Sequence, residues 1–211
     1  LSAAVDHLHA AKVLVHDCGL LHLAAPATLA RGAIENAATG LWVLTPRSRD
    51  ERVLRALRWH SRNYRDQAAT GRTLPGKPLE FMLSKIAKVA TQRGLPEGSA
   101  TGGYQMTKVI QQVQTGHPDL GDLLLTWQLG SGFAHGRPWA YLGALEREEF
   151  DAPEEGVTNM RLTSYPVLAM HPILKSLHLV ERLLQVREKR AGLHRHTAIP
   201  TVPDSFERKS P

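Results

Sequence analysis

The chain reads as an all-α protein, a six- or seven-helix bundle with one small β-hairpin insertion near residues 140–163. Three observations predict it. Alanine and leucine, both strong helix formers, recur throughout the sequence. Aromatic residues are only 6% of a chain that is 42% hydrophobic, so aliphatic side chains do most of the packing. Apolar residues also return at spacings of three and four along most of the length.

The elements follow in order. Val5, Leu8, Ala11, Val15, Leu20 and Leu23 predict a first helix over about 2–23. Pro26 opens the second, which runs to Leu44 before Thr45-Pro46 stops it; its apolar face is Ala30, Ala33, Ile34, Ala37, Leu41 and Leu44. Ser48, with Glu51 three residues on, is a capping box for a third helix over about 48–67. A Gly/Pro-punctuated linker at 71–78 leads to a fourth helix over 79–93, a loop over 94–103 and a fifth helix over 105–114. Pro118 or Asp119 starts a sixth helix that ends near His135, where Gly136 and Pro138 are stop signals. Its leucines make it apolar on most sides, which predicts a central position. The segments 140–145 and 157–163 flank an acidic turn and read as a short hairpin. The last helix spans 166–191. Residues 1–191 thus form one helical domain, and the polar, basic stretch 192–211 is expected to be a disordered C-terminal tail.

The formal net charge is +6, with arginine well ahead of lysine. That balance suits an anionic partner such as RNA or a nucleotide, and is also what a GC-rich genome produces by codon usage. The single cysteine, Cys18, cannot form an internal disulfide; its apolar surroundings predict a buried, inert thiol. No run of about 18 apolar residues appears, so no membrane association is expected and the cytoplasm is the expected location. Cys/His spacings for zinc and a phosphate-binding Gly-rich loop with Lys-Ser/Thr are also missing, so neither metal nor cofactor is expected.

The sixth helix carries the most site-like segment. Ser131 and His135 are four apart, hence on one face, with Trp127 one turn earlier. Gly130 and Gly132 flank the serine, each costing about 1 kcal/mol against alanine in a helix interior. Such glycines predict close approach by another helix or by a ligand. His135 is a candidate acid/base group with Ser131 as hydrogen-bonding support. A histidine at a helix C-terminus and a serine bonding back along its own helix explain the pair equally well. Trp139, after Pro138, reads as a packing anchor.

On the second helix, Arg31 and Glu35 are four apart, with Thr39 and Trp42 continuing their face. They form either a solvated pair or, if that face is covered by the sixth helix, a polar network with Ser131 and His135. On the third helix, Arg52, Arg55, Arg58, Arg62 and Arg65 share one broad stripe. It is the best footprint in the chain for a phosphate backbone, or else a solvated helix face.

The run Trp127-Gln-Leu-Gly-Ser131-Gly-Phe-Ala-His135-Gly-Arg-Pro-Trp139, together with Arg31 and Glu35, resembles a group of high-GC bacterial all-helical proteins with a Ser-x-x-x-His-Gly-x-Pro-Trp motif. More distantly it is similar to HEPN domains. That resemblance implies a helical bundle, often a homodimer, and frequently a metal-independent ribonuclease of toxin or defence systems. Their active motif is Arg, four to six residues, then His. Positions 128–131 offer His135 no such arginine, whereas Arg55–His60 and Arg190–His196 match it by spacing. Two readings follow. One is an RNA-directed protein in which His135 is the acid/base group and Arg31, or an arginine from a dimer mate, stabilises phosphate charge. The other is a non-catalytic protein-binding or assembly module whose Arg31, Glu35, Ser131 and His135 fix helix register.

Overall fold

The computed structural model describes residues 1–71 and 76–192. Part of the 71–78 linker, the expected tail beyond Gly192 and His196 lie outside the described residues. Among the described residues the architecture is a helical bundle of nine α-helices with one two-stranded antiparallel hairpin.

The middle of the bundle is α2 (Ala25–Leu44), begun by Pro26 in its first turn as expected. It packs against α1 (Ser2–Lys12), α3 (Arg49–Ala69), α6 (Met106–Gly116), α7 (Leu123–Ala134) and α9 (Pro166–Ala191). Ala30, Ala33, Ala37 and Ala38 are buried, and their small side chains let neighbours approach from several sides. Ile34, Leu41, Ile110, Leu123 and Leu179 fill the main core, each worth about 1.5–3 kcal/mol when fully buried. The central helix is therefore α2 and not α7. Although α7 is apolar on most sides, its Leu125 is 61% exposed.

Five other expectations are corrected. The first helix ends at Lys12, passes through a π-turn at Val13–Asp17 and breaks at Gly19, whose φ is 65°. Leu20, Leu21 and Leu23 then find no core, and Cys18 is exposed rather than buried. The stretch expected as a loop over 94–103 contains a short helix, α5 (Glu97–Thr101). With α3 and α4 (Leu79–Gln92) it encloses a satellite core of Ile86, Ala90 and Ala100. Pro118–Leu120 is a separate 3-10 turn before α7, since Gly121 at φ 60° interrupts the helix there. Finally, residues 140–145 are mostly helix. Pro138 opens α8 (Pro138–Ala144), which turns Ala140 into a buried contact beside Phe133.

The hairpin comes one segment later, pairing β1 (Glu146–Asp151) with β2 (Thr158–Thr163) from Glu146↔Thr163 to Asp151↔Thr158. Because β1 is exposed along its whole length, it shows no apolar alternation that sequence reading could detect. Ser48 caps α3 as expected, its Oγ accepting from the Glu51 amide at 3.4 Å, while the Glu51 carboxylate turns to Arg55 rather than back to the Ser48 amide.

Candidate functional site

Gly130 sets the distance between α2 and α7. A Cβ built there would lie 2.8 Å from the Ala27 carbonyl oxygen and 2.9 Å from the Arg31 Cβ. A Cβ on Gly132 would lie 2.6 Å from the Ala140 Cβ and 2.7 Å from the Trp139 ring. The two glycines thus accept two different helices, α2 on one side and α8 on the other.

This close crossing brings Arg31 and Glu35 against Trp127. Arg31 Nη2 meets Glu35 Oε1 at 2.8 Å, and Trp127 Nε1 donates to the same oxygen at 2.8 Å. The two charged side chains are 24% and 27% exposed, so the pair is half-buried rather than a solvated bridge. Arg31 Nε is buried with no partner. Among the described residues, no side-chain hydrogen bond joins Ser131 or His135 to this cluster; the third member is Trp127. Its place four residues before Ser131 was the available signal.

Ser131 and His135 instead line an open groove of about 440 Å³, with Trp127, Gln128, Arg137 and Trp139. His135 is the C-cap of α7, its amide bonded to the Ser131 carbonyl at 3.1 Å. Its imidazole is exposed. The turn at Gly136, φ 60°, directs the chain into α8 and carries Arg137 to the same rim. Trp139 packs one ring edge on Gly132 yet remains 54% exposed, so it anchors α8 and still presents indole to solvent. Arg31 and Glu35 lie behind the Trp127 wall and do not line the groove.

The arginine stripe is placed differently. Arg52 donates to the Pro46 and Arg47 carbonyls, each at 2.8 Å. Arg55 donates to Glu51 at 2.7 Å and to the Trp42 carbonyl at 2.8 Å. Arg58 reaches the Gly103 carbonyl at 2.8 Å, Arg65 the Thr101 carbonyl at 3.0 Å, and Arg62 pairs with Asp66. Arg55 and Arg58 also stack over the Trp42 ring. The Trp42 and Thr101 carbonyls lie in the last turns of α2 and α5, where helix dipoles attract cations, whereas Pro46, Arg47 and Gly103 lie in the connections that follow. His60 stacks beside Tyr64 and meets the Trp59 ring edge-on.

Among the described residues no three His, Cys, Asp or Glu gather to hold a metal ion, and no helix is long and apolar enough to cross a membrane. No family model, curated protein or solved structure matches the chain.

Proposed function

We propose that the chain binds RNA or a nucleotide in the α7–α8 groove. The observation that carries this reading is the pairing of two indoles, Trp127 and Trp139, with His135 and Arg137 around one open groove. Aromatic faces stack bases regardless of sequence, at about 1–3 kcal/mol each. A guanidinium and an imidazole on the same rim suit the phosphate. The HEPN resemblance and the net charge of +6 support the same partner. In the catalytic form of this reading, His135 takes the 2′-hydroxyl proton as that oxygen attacks the adjacent phosphorus. The 5′-oxygen leaves and takes a proton from water. Arg137, rather than Arg31, faces the developing charge.

A second reading, a protein-binding or assembly module, draws on α9. Val167, Met170, Leu174 and Leu177 repeat at heptad spacing and are 71%, 38%, 47% and 41% exposed. A labelled single-stranded RNA titrated against wild type, Trp139→Ala and Arg137→Ala separates the two. RNA binding in the groove predicts loss of about tenfold or more for Trp139→Ala and a shallower salt dependence for Arg137→Ala. Wild-type binding that both substitutions leave intact rejects the groove. Metal-free incubation with total RNA beside His135→Ala then tests cleavage: equal activity in both, or none, removes the catalytic form.

A further inference from the structure

The two indoles of the groove are held in different ways. Trp139 is 54% exposed and, among the described residues, its indole N–H has no hydrogen-bond partner. Trp127 is half-buried and packs against the main core, and its Nε1 donates to Glu35 Oε1 at 2.8 Å. Glu35 does not line the groove, so this bond draws the N–H edge of the ring towards α2 and away from the ligand space.

Packing alone does not fix an indole. The χ2 torsion of an aromatic side chain is broad and close to two-fold, so a ring held only by apolar contacts keeps a flipped alternative. A directional bond at one edge removes it, and a carboxylate acceptor makes that bond a strong one. Glu35 is itself tethered, since Arg31 Nη2 meets the same oxygen at 2.8 Å from one turn earlier on α2. The close crossing at Gly130, against Ala27 and Arg31, sets where the carboxylate meets α7.

As a stabilising device this cluster is poor. Two half-buried charges are held partly out of water, and Arg31 Nε is buried without a partner. Apolar residues of similar volume are often as stable as the buried ion pair they replace, or more so. What the pair supplies and apolar residues do not is the orientation of Trp127.

We infer that Arg31 and Glu35 are positioning residues for the groove: they lock the Trp127 ring in the orientation that walls it, and act on a bound base only through that ring. The inference rests on the groove reading. It gives the pair behind the wall a role in binding without contact with the ligand.

The test removes both charges together, so that neither is left unpaired. Arg31→Met/Glu35→Leu should bind a labelled single-stranded RNA about two- to tenfold more weakly, the loss expected when one side chain must be ordered on binding. Arg31→Met/Glu35→Gln, which returns an oxygen to the indole without returning charge, should recover most of that loss. Trp127→Phe keeps a ring and deletes the N–H, and in its background Arg31→Met/Glu35→Leu should weaken binding no further. Without RNA, the Trp127 indole N–H resonance, assigned with Trp127→Phe, should move upfield in Arg31→Met/Glu35→Leu. If that variant does not fold, Glu35→Leu takes its place in the same cycle. No RNA binding by wild type, or binding that Trp139→Ala leaves intact, removes the groove reading and this inference with it. With groove binding present, three results overturn the positioning role alone: undiminished affinity without the pair, an equal loss in the Trp127→Phe background, or an indole resonance that does not move.

Discussion

The α3 stripe and the α7–α8 groove are two basic regions with opposite fates. The stripe is far richer in charge, and all five of its arginines end on a carbonyl or a carboxylate of the same molecule. The groove has one arginine and one exposed histidine, and both line open space. What separates them is the backbone that lies alongside. The ends of α2 and α5 and the connections after them lie against α3, and their carbonyls take up four of the five guanidiniums, while Arg62 pairs with Asp66 of its own helix. Charge density along a sequence therefore does not measure the charge available to a partner. The stripe works as a clamp, with Arg190 of α9 adding bonds to the Leu44, Thr45 and Pro46 carbonyls.

The largest effect is expected where the groove gains its shape. Gly130→Val drives a branched side chain against the Ala27 carbonyl and the Arg31 Cβ, neither of which can move without shifting α2. The cost is about 3 kcal/mol, or a melting drop on the order of 10 °C for a chain of this size. Thermal unfolding by circular dichroism checks it. A variant that melts with wild type would mean that the crossing is loose and that Trp127 is not held by it.

An intermediate effect separates the two regions directly. Arg55→Ala removes a charged bond to the Trp42 carbonyl and the cover over its ring, from a side chain only 22% exposed. It should cost about 2 kcal/mol of stability and leave RNA affinity nearly unchanged. Arg137→Ala should do the reverse. If Arg55→Ala weakens RNA binding more than Arg137→Ala does in urea-titrated, fully folded samples, the stripe is the contact surface and the contrast collapses.

How much of this was legible follows the same division. The helices with local signals were readable: Pro26 at the start of α2, Ser48 and Glu51 at α3, Gly136 and Pro138 after α7. So was the face shared by Trp127, Ser131 and His135. What sequence could not supply was which face meets which neighbour. Gly130 and Gly132 announce close approach without naming α2 and α8 as the partners. Arg31 and Glu35 read as a pair, yet the ligand of Glu35 is Trp127, 92 residues away, rather than Ser131 or His135. The strand at 146–151 was missed because an edge hairpin exposed on both faces has no alternation to read.

The smallest effect concerns a histidine in a closed setting, the counterpart of exposed His135. His117 precedes the turn into α7, and its Nε2 is buried without a partner. Burial lowers its pKa below the usual 6.5, the nearby Arg182 lowers it further, and Asp119 offsets part of this. The sign follows from proton counting. Below about pH 6.5 the unfolded chain takes up a proton at this residue that the folded chain resists, so the unfolded state binds more protons. Stability therefore rises with pH between the lowered folded value and 6.5, and falls as a solution is acidified through that window. Asp119 works in the same direction at lower pH. Its salt bridge with Arg182 depresses the carboxyl, and the benefit is lost only as pH drops through that depressed value. The two windows are thus separated along the pH axis. His117→Gln should flatten the upper one alone, and urea unfolding at pH 8, 6.5 and 5.5 reads the difference from wild type. Parallel curves across those three conditions would mean that the imidazole reaches water freely, and the approach to α7 would then be as open as the groove itself.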